Sequence, residues 1–279
     1  MDIVNDVVAK SNSVEEVSSI NAQEFRKNYF TKRRPVLLKG FAKDWGAKKK
    51  WNLDFLMNLE GDNQVLLLAA NFIQDDNRYR QGSFKDYLQA LKSSENNKEV
   101  MEDYLTTVDI FKFFPHLTED IDFSLFEKNT VSNYVTGWIG PKGTISGFHF
   151  DTANNMYAQI MGKKMFIICS PKFKKNMYPS SKHIADAMAS QIDLNNFDPK
   201  RFPKFEDAEL QVAILEPGDV LFVPQKWWHY VQSLDTSISI SNFGYTKSEK
   251  YTLLLKERIK HSLHKRGYYK PKNCFCCDA

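Results

Sequence analysis

The chain has 279 residues, enough for one large domain with a well-buried core or two small ones. A hydrophobic fraction of 42%, with 21 Phe and 5 Trp, excludes a disordered chain. A net charge of +4 is too mild to imply nucleic acid by itself, and no apolar run reaches the roughly 18 residues of a spanning helix.

Residues 1–20 read as a polar, uncommitted segment in which Met1–Asp6 shows no signal sequence. Ala22 to Phe30 reads as a short helix, Pro35 to Lys39 as a strand, and Trp51 to Leu59 as a helix started by Asn52 or Asp54. Composition makes 75–82 and 93–98 loops. From Val131 short apolar strands alternate with Gly, Pro and Asn turns: Tyr134–Ile139, Phe148–Asp151, Met156–Met161, Met165–Cys169, Gln211–Leu215, Val220–Val223, around Val231, and Ile238–Phe243. That punctuation predicts a mainly β fold, a sandwich or jelly roll of cupin type. The polar stretch Lys172–Phe205 is too long for a plain connection and reads as a covering or functional insertion. Beyond Thr246 the pattern turns helical, through Tyr251, Leu254, Leu255, Ile259 and Leu263.

The chemistry concentrates in His149-Phe150-Asp151 and His229. On an extended strand, alternate residues share a face, so His149 and Asp151 point one way and Phe150 the other. Two imidazoles and one carboxylate form the facial ligand set that suits non-haem Fe(II), whereas structural zinc favours closed, cysteine-rich sites. Each of the three alone would be an ordinary barrel or turn residue.

Their surroundings are Gly140-Pro141-Lys142-Gly143-Thr144-Ile145-Ser146-Gly147-Phe148 before the pair and Asn155 to Lys164 after it. Leu215-Glu216-Pro217-Gly218-Asp219 then leads through Val220–Pro224 into Trp227-Trp228-His229. Together with Arg34–Phe41 and Asp44-Trp45, these segments resemble the JmjC family of Fe(II)- and 2-oxoglutarate-dependent oxygenases, over roughly residues 21 to 245. The likeness is strongest to its small hydroxylases of asparaginyl and arginyl side chains, which Phe114–Ile121 and Phe202–Phe205 also resemble.

The resemblance implies a double-stranded β-helix core flanked by N-terminal helices and a C-terminal helix. It implies catalysis at Fe(II) held by His149, Asp151 and His229, with O2 and 2-oxoglutarate as co-substrates. A lysine entering the strand Met165–Cys169 needs an anionic partner, because an unpaired buried charge is costly. Both faces of that strand are apolar, so alternation leaves Lys163 and Lys164 open; the resemblance selects Lys164. It likewise assigns Ser146, Asn155, Tyr104 and Asn242 to the co-substrate, with a core tyrosine as the plain alternative for Tyr104. Trp138 and Trp228 are expected at a substrate mouth, beside the plain alternative of packing.

The expected organisation is a segment 1–20, an oxygenase domain 21–245, a basic helical extension 246–272 and a Cys-rich tail 273–279. Seven Lys and Arg against Glu257 make residues 256–272 basic. With Cys274, Cys276 and Cys277, that stretch could supply the two signals of a lipid-anchored tail, or a zinc site with His261 and His264. Four cysteines make no disulfide framework and favour a cytoplasmic or nuclear compartment. The expected reaction is hydroxylation of a protein side chain. N-methyl-lysine demethylation, tRNA-base hydroxylation and a non-catalytic binding protein are the alternatives; a homodimer through the C-terminal helix is a further expectation.

Overall fold

The computed structural model describes residues 3–69, 79–97, 101–182, 184 and 186–270. Fifteen strands are present among them: β1 Asn12–Ser13, β2 Glu16–Val17, β3 Val36–Leu38, β4 Gln64–Ala69, β5 Tyr79–Ser83, β6 Asp103–Val108, β7 Val131–Gly140, β8 Ile145–Asp151, β9 Asn154–Met161, β10 Lys164–Cys169, β11 Ala187–Ala189, β12 Leu210–Leu215, β13 Val220–Val223, β14 Trp228–Ser233 and β15 Ser237–Tyr245. They form a six-stranded sheet ordered β1-β12-β10-β14-β8-β11 and a nine-stranded sheet ordered β2-β3-β13-β9-β15-β7-β6-β4-β5. The chain alternates between the sheets from β7 to β10 and again from β12 to β15, and the inner pairs are antiparallel. This is the jelly roll expected from the strand punctuation.

Period-two alternation divides the side chains into three apolar layers. Trp138, Tyr157, Leu221 and Phe243 of the larger sheet meet Phe166, Ile168 and Leu215 of the smaller sheet between the two. Met156, Ala158, Ile160, Val220 and Phe222 face outward and pack on Phe25, Trp45, Trp51 and Leu88 from the N-terminal half. Phe148, Met165, Ile167, Trp228 and Tyr230 face outward from the smaller sheet onto Val4, Ile192, Leu194, Phe202 and Phe205. Both sheets are therefore covered on both faces, which explains why β10 reads as an unbroken apolar run.

Three expectations about local structure are corrected. Residues 3–10 form a helix with Val4 buried, and β1 and β2 pair with β12 and β3, so the segment 1–20 is not uncommitted. Residues 79–82 belong to β5, paired with β4. Residues 93–97 end the helix Phe84–Asn97, whose Phe84, Tyr87, Leu88 and Leu91 are buried. Residues 79–82 are exposed or half-buried and are ordered by strand pairing alone, while in 93–97 only Ser94 is buried. Further expectations stand: Ala22–Phe30 is helical, as an α-turn and then a π-turn, and Asn52 caps the helix Leu53–Met57 by accepting from Phe55 N at 2.8 Å.

The insertion Lys172–Phe205 adds β11 to the edge of β8 and buries Met177, Ile192, Leu194, Phe202 and Phe205 on the outer face of the smaller sheet. The helix Lys247–Lys265 opens with a capping box between Thr246 and Glu249. Buried Glu249 also accepts from Asn154 Nδ2 at 3.0 Å and from Gln225 Nε2, and pairs with Arg33 at 3.2 Å. The expected apolar stripe of this helix faces outward: Tyr251, Leu255, Ile259 and Leu263 are exposed. Among the described residues no helix is long and apolar enough to cross a membrane. His183 and the tail 273–279, with its cysteines, lie outside the described residues.

Candidate active site

The turn Glu216–Asp219 launches β13, and Gly218 at φ +101° supplies a left-handed backbone there. Asp219 fastens the turn by accepting from Glu216 N at 2.9 Å, Gly40 N at 2.8 Å and Lys39 Nζ at 2.5 Å. The chain then crosses to β14, which lies beside β8 with His229 directly opposite His149. The imidazole centroids are 4.1 Å apart. Asp151, two residues along β8, turns to the same side, its Oδ2 3.5 Å from His229 Nε2.

Ligand atoms of His149, Asp151 and His229 lie within 4.8 Å of one another. His149 Nδ1 donates to Gly147 O at 2.7 Å and His229 Nδ1 to Trp227 O at 3.0 Å. With Nδ1 so engaged, the Nε2 atoms of both rings are the ones that face the common centre. Burial, and then the neighbouring His229, keeps His149 well below the usual imidazole range, so it stays neutral. Burial raises the Asp151 carboxyl from its usual range; a bound cation would act in the opposite sense.

These residues open on a cavity of about 280 Å³ between the sheets, lined also by Ser146, Asn155, Tyr104, Tyr157, Trp138 and Phe166. Tyr134 and Phe243, stacked at 5.0 Å, line it too. Lys164 is fully buried behind the cavity and donates to Tyr157 Oη at 2.9 Å and Tyr104 Oη at 3.1 Å. Burial lowers its ammonium to about 7. Lys163 faces outward and pairs with Glu216 at 2.7 Å. Alternation along β10 does this: Lys164, Phe166 and Ile168 point inward, Met165, Ile167 and Cys169 outward. Tyr104 fits because β7 ends in Gly140, where a Cβ would meet its ring at 2.5 Å.

Two expected positions are corrected by the same alternation. Trp228 is fully buried against Phe150 on the outer side of the smaller sheet, because His229 turns inward. Asn242 faces away from the cavity that Ser241 and Phe243 line, donating to Glu127 at 2.8 Å and accepting from Asn133 at 3.0 Å. Trp138 does line the cavity and donates to Ser241 Oγ at 3.1 Å. Sequence reasoning missed Tyr157, although it lies two residues beyond Asn155 on the same face of β9. It also missed Tyr134, Phe243 and Asp186, which no motif marks.

The residues present fit a metal and an anionic ligand. Two imidazole nitrogens and a carboxylate are an N/O donor set suited to Fe(II). Asn155 Oδ1 is buried with no hydrogen-bond partner among the described residues. Lys164 has two neutral hydroxyls but, among the described residues, no carboxylate partner.

Residues 22–250 match the family model of the cupin-like domain. The chain is 30% identical over 240 residues to lysine-specific demethylase 8 of Xenopus tropicalis, covering 84% of this chain and 53% of that protein. It is 31% identical over 242 residues to lysine-specific demethylase JMJ30 of Arabidopsis thaliana, covering 85% and 56%. Human tRNA wybutosine-synthesizing protein 5 is 28% identical over 250 residues, covering 82% and 77%. The chain thus spans little more than half the length of the first two. With the jelly roll, the His-Asp-His cluster and these likenesses together, the chain belongs to the cupin-like family of JmjC proteins.

Proposed function

We propose that this chain is an Fe(II)- and 2-oxoglutarate-dependent oxygenase that hydroxylates a side chain of a protein substrate. The observation that carries the reading is the convergence of two imidazole Nε2 atoms and the Asp151 carboxylate beside a cavity backed by a buried lysine that has no carboxylate partner among the described residues. When bound, Fe(II) with O2 and 2-oxoglutarate supplies the oxidising power that inserts one oxygen atom into a C–H bond.

In this reading His149, Asp151 and His229 hold the metal, and their backbone hydrogen bonds fix the ring orientations. Lys164 receives the distal carboxylate of 2-oxoglutarate, with Tyr104 and Tyr157 turning hydroxyls toward the same oxygens. Ser146 and Asn155 add hydrogen bonds from the cavity wall. Trp138, Tyr134 and Phe243 exclude water and hold the target carbon, since a misplacement of about 1 Å can cost a hundredfold in rate.

Protein hydroxylation is favoured by the His-x-Asp form of the motif and by the likeness of Gly140–Lys164 and Phe202–Phe205 to small protein hydroxylases. The relatives named for lysine demethylation and for tRNA wybutosine synthesis set the competing outcomes. The test is to incubate the chain with Fe(II), 2-oxoglutarate and air against cell-derived peptides and tRNA, followed by mass spectrometry. A peptide gaining one oxygen atom is the expected result. Formaldehyde release from methyl-lysine peptides without any such product, or oxygen found on tRNA alone, would overturn it.

A further inference from the structure

A second cavity, of about 260 Å³, shares Ile184 and Ala187 with the first and lies on the other side of that short wall. Four separate segments bring lysines to it. Lys174 and Lys182 come from the insertion, Lys226 from the turn before β14, Lys256 and Lys260 from the C-terminal helix, and Lys270 from the segment after it. Among the described residues Glu257 is the one acidic side chain in the lining, and it pairs with Lys260 at 2.6 Å. Asp186, on the wall between the cavities, is the nearest other acid. Six lysines against one glutamate give this lining a strong local excess of positive charge, although the whole chain carries only +4.

Like charges gathered from four segments repel one another, so their convergence favours a bound anion. Lys182, Lys226, Lys260 and Lys270 are half-buried rather than splayed into solvent. Lys226 and Lys270 also hold left-handed backbone, at φ +65° and +45°, a costly conformation for residues other than glycine. Lys226 N donates to Asp151 O at 2.8 Å, which ties the basic cavity to the strand bearing two of the three metal-site residues.

We infer that this lysine cavity binds an acidic stretch of the polypeptide substrate, anchoring it beside the active-site mouth. The inference rests on the protein-hydroxylase reading for what is done to the peptide, but not for the binding itself. A compact cavity lined by lysines without arginine suits carboxylates held by point charges. A nucleic-acid track would need an extended groove with aromatic platforms; of the two aromatic residues in the lining, Phe150 is already packed on Trp228.

The experiment measures binding of a fluorescent hexaglutamate peptide and of a six-nucleotide RNA to the full chain by anisotropy at low salt. Lys226→Glu with Lys256→Glu is expected to weaken hexaglutamate binding at least about tenfold, as charge reversal at one anion site requires. Lys49→Glu with Lys112→Glu, on exposed residues of the N-terminal half, should change it less than about twofold. Thermal melts confirm folding, and Lys226→Gln with Lys256→Gln serves if the reversal does not fold. Absent binding, equal losses in both pairs, or RNA binding about tenfold tighter through the same lysines would each overturn the inference. Hexaglutamate binding without any hydroxylated peptide would sink the activity alone. Hydroxylation without preference for acidic flanks would sink the anchoring role alone.

Discussion

The back and the rim of the active-site region both present lysine, under opposite physics. At the back, Lys164 has no exposure, touches two tyrosine hydroxyls and has lost enough hydration for its ammonium to fall to about 7. At the rim, Lys226, Lys256 and their neighbours keep partial or full contact with water. A buried cation waits for one partner in one geometry, because an unpaired buried charge is expensive. A wet cluster accepts any anion of suitable density, with a strength that salt can tune. The back is thus built for selection of a small molecule, and the rim for retention of a large one.

The largest test removes the centre on which both depend. His149→Ala or His229→Ala should abolish Fe(II)-dependent turnover of 2-oxoglutarate and weaken Fe(II) binding, measured by decarboxylation and by metal content after gel filtration. Turnover at the parental rate in both variants would break the comparison at its root. Next in size, Lys164→Ala should weaken 2-oxoglutarate binding by about 3–5 kcal/mol, which is two to nearly four powers of ten, since the ligand carboxylate loses its buried partner. Calorimetric titration of the metal-loaded chain reads this directly.

A pH series sharpens the contrast further. Below about 7 the buried Lys164 is charged; above it the amine loses its proton, while an unfolded chain keeps that proton up to about 10.5. The unliganded fold should therefore gain stability between those pH values, because the unfolded state binds more protons there. Affinity for 2-oxoglutarate, which needs the ammonium, should fall roughly tenfold per pH unit above 7. Lys164→Arg, always charged, should flatten that slope; an equally steep slope in this variant would reassign it to another group. The smallest effect belongs to the outward neighbour: Lys163→Ala breaks an exposed, water-screened pair with Glu216 and should leave affinity and stability nearly unchanged. Salt separates the regions again, since about 0.5 M should strip hexaglutamate from the rim while barely moving 2-oxoglutarate.

Legibility in the sequence followed the physics of burial. The strands from β7 to β15, except β11 inside the insertion, could be read because turns punctuate them, and the metal cluster because its three side chains are chemically unusual together. Lys164 could not be separated from Lys163 by alternation, since β10 is covered on both faces and both sets of positions are apolar. Trp228 and Asn242 are different: once His229 and Ser241 are placed inward, strand alternation turns their neighbours outward. That inference was available and went undrawn. The lysine cavity was legible only as a basic C-terminal segment, because its other members come from residues 174, 182 and 226, which no local pattern joins.

The Glu249 carboxylate has a consequence for where this chain can be cut. It belongs by sequence to the helix after the barrel, yet it accepts from Asn154 at the start of β9 and from Gln225 between β13 and β14, and it meets Arg33 from the N-terminal half. A protein shortened to end at residue 245 would leave those three partners without their common acceptor, next to the two segments that carry the metal cluster. The helix therefore acts as a keystone rather than an appendage, and trimming it loosens the barrel from inside.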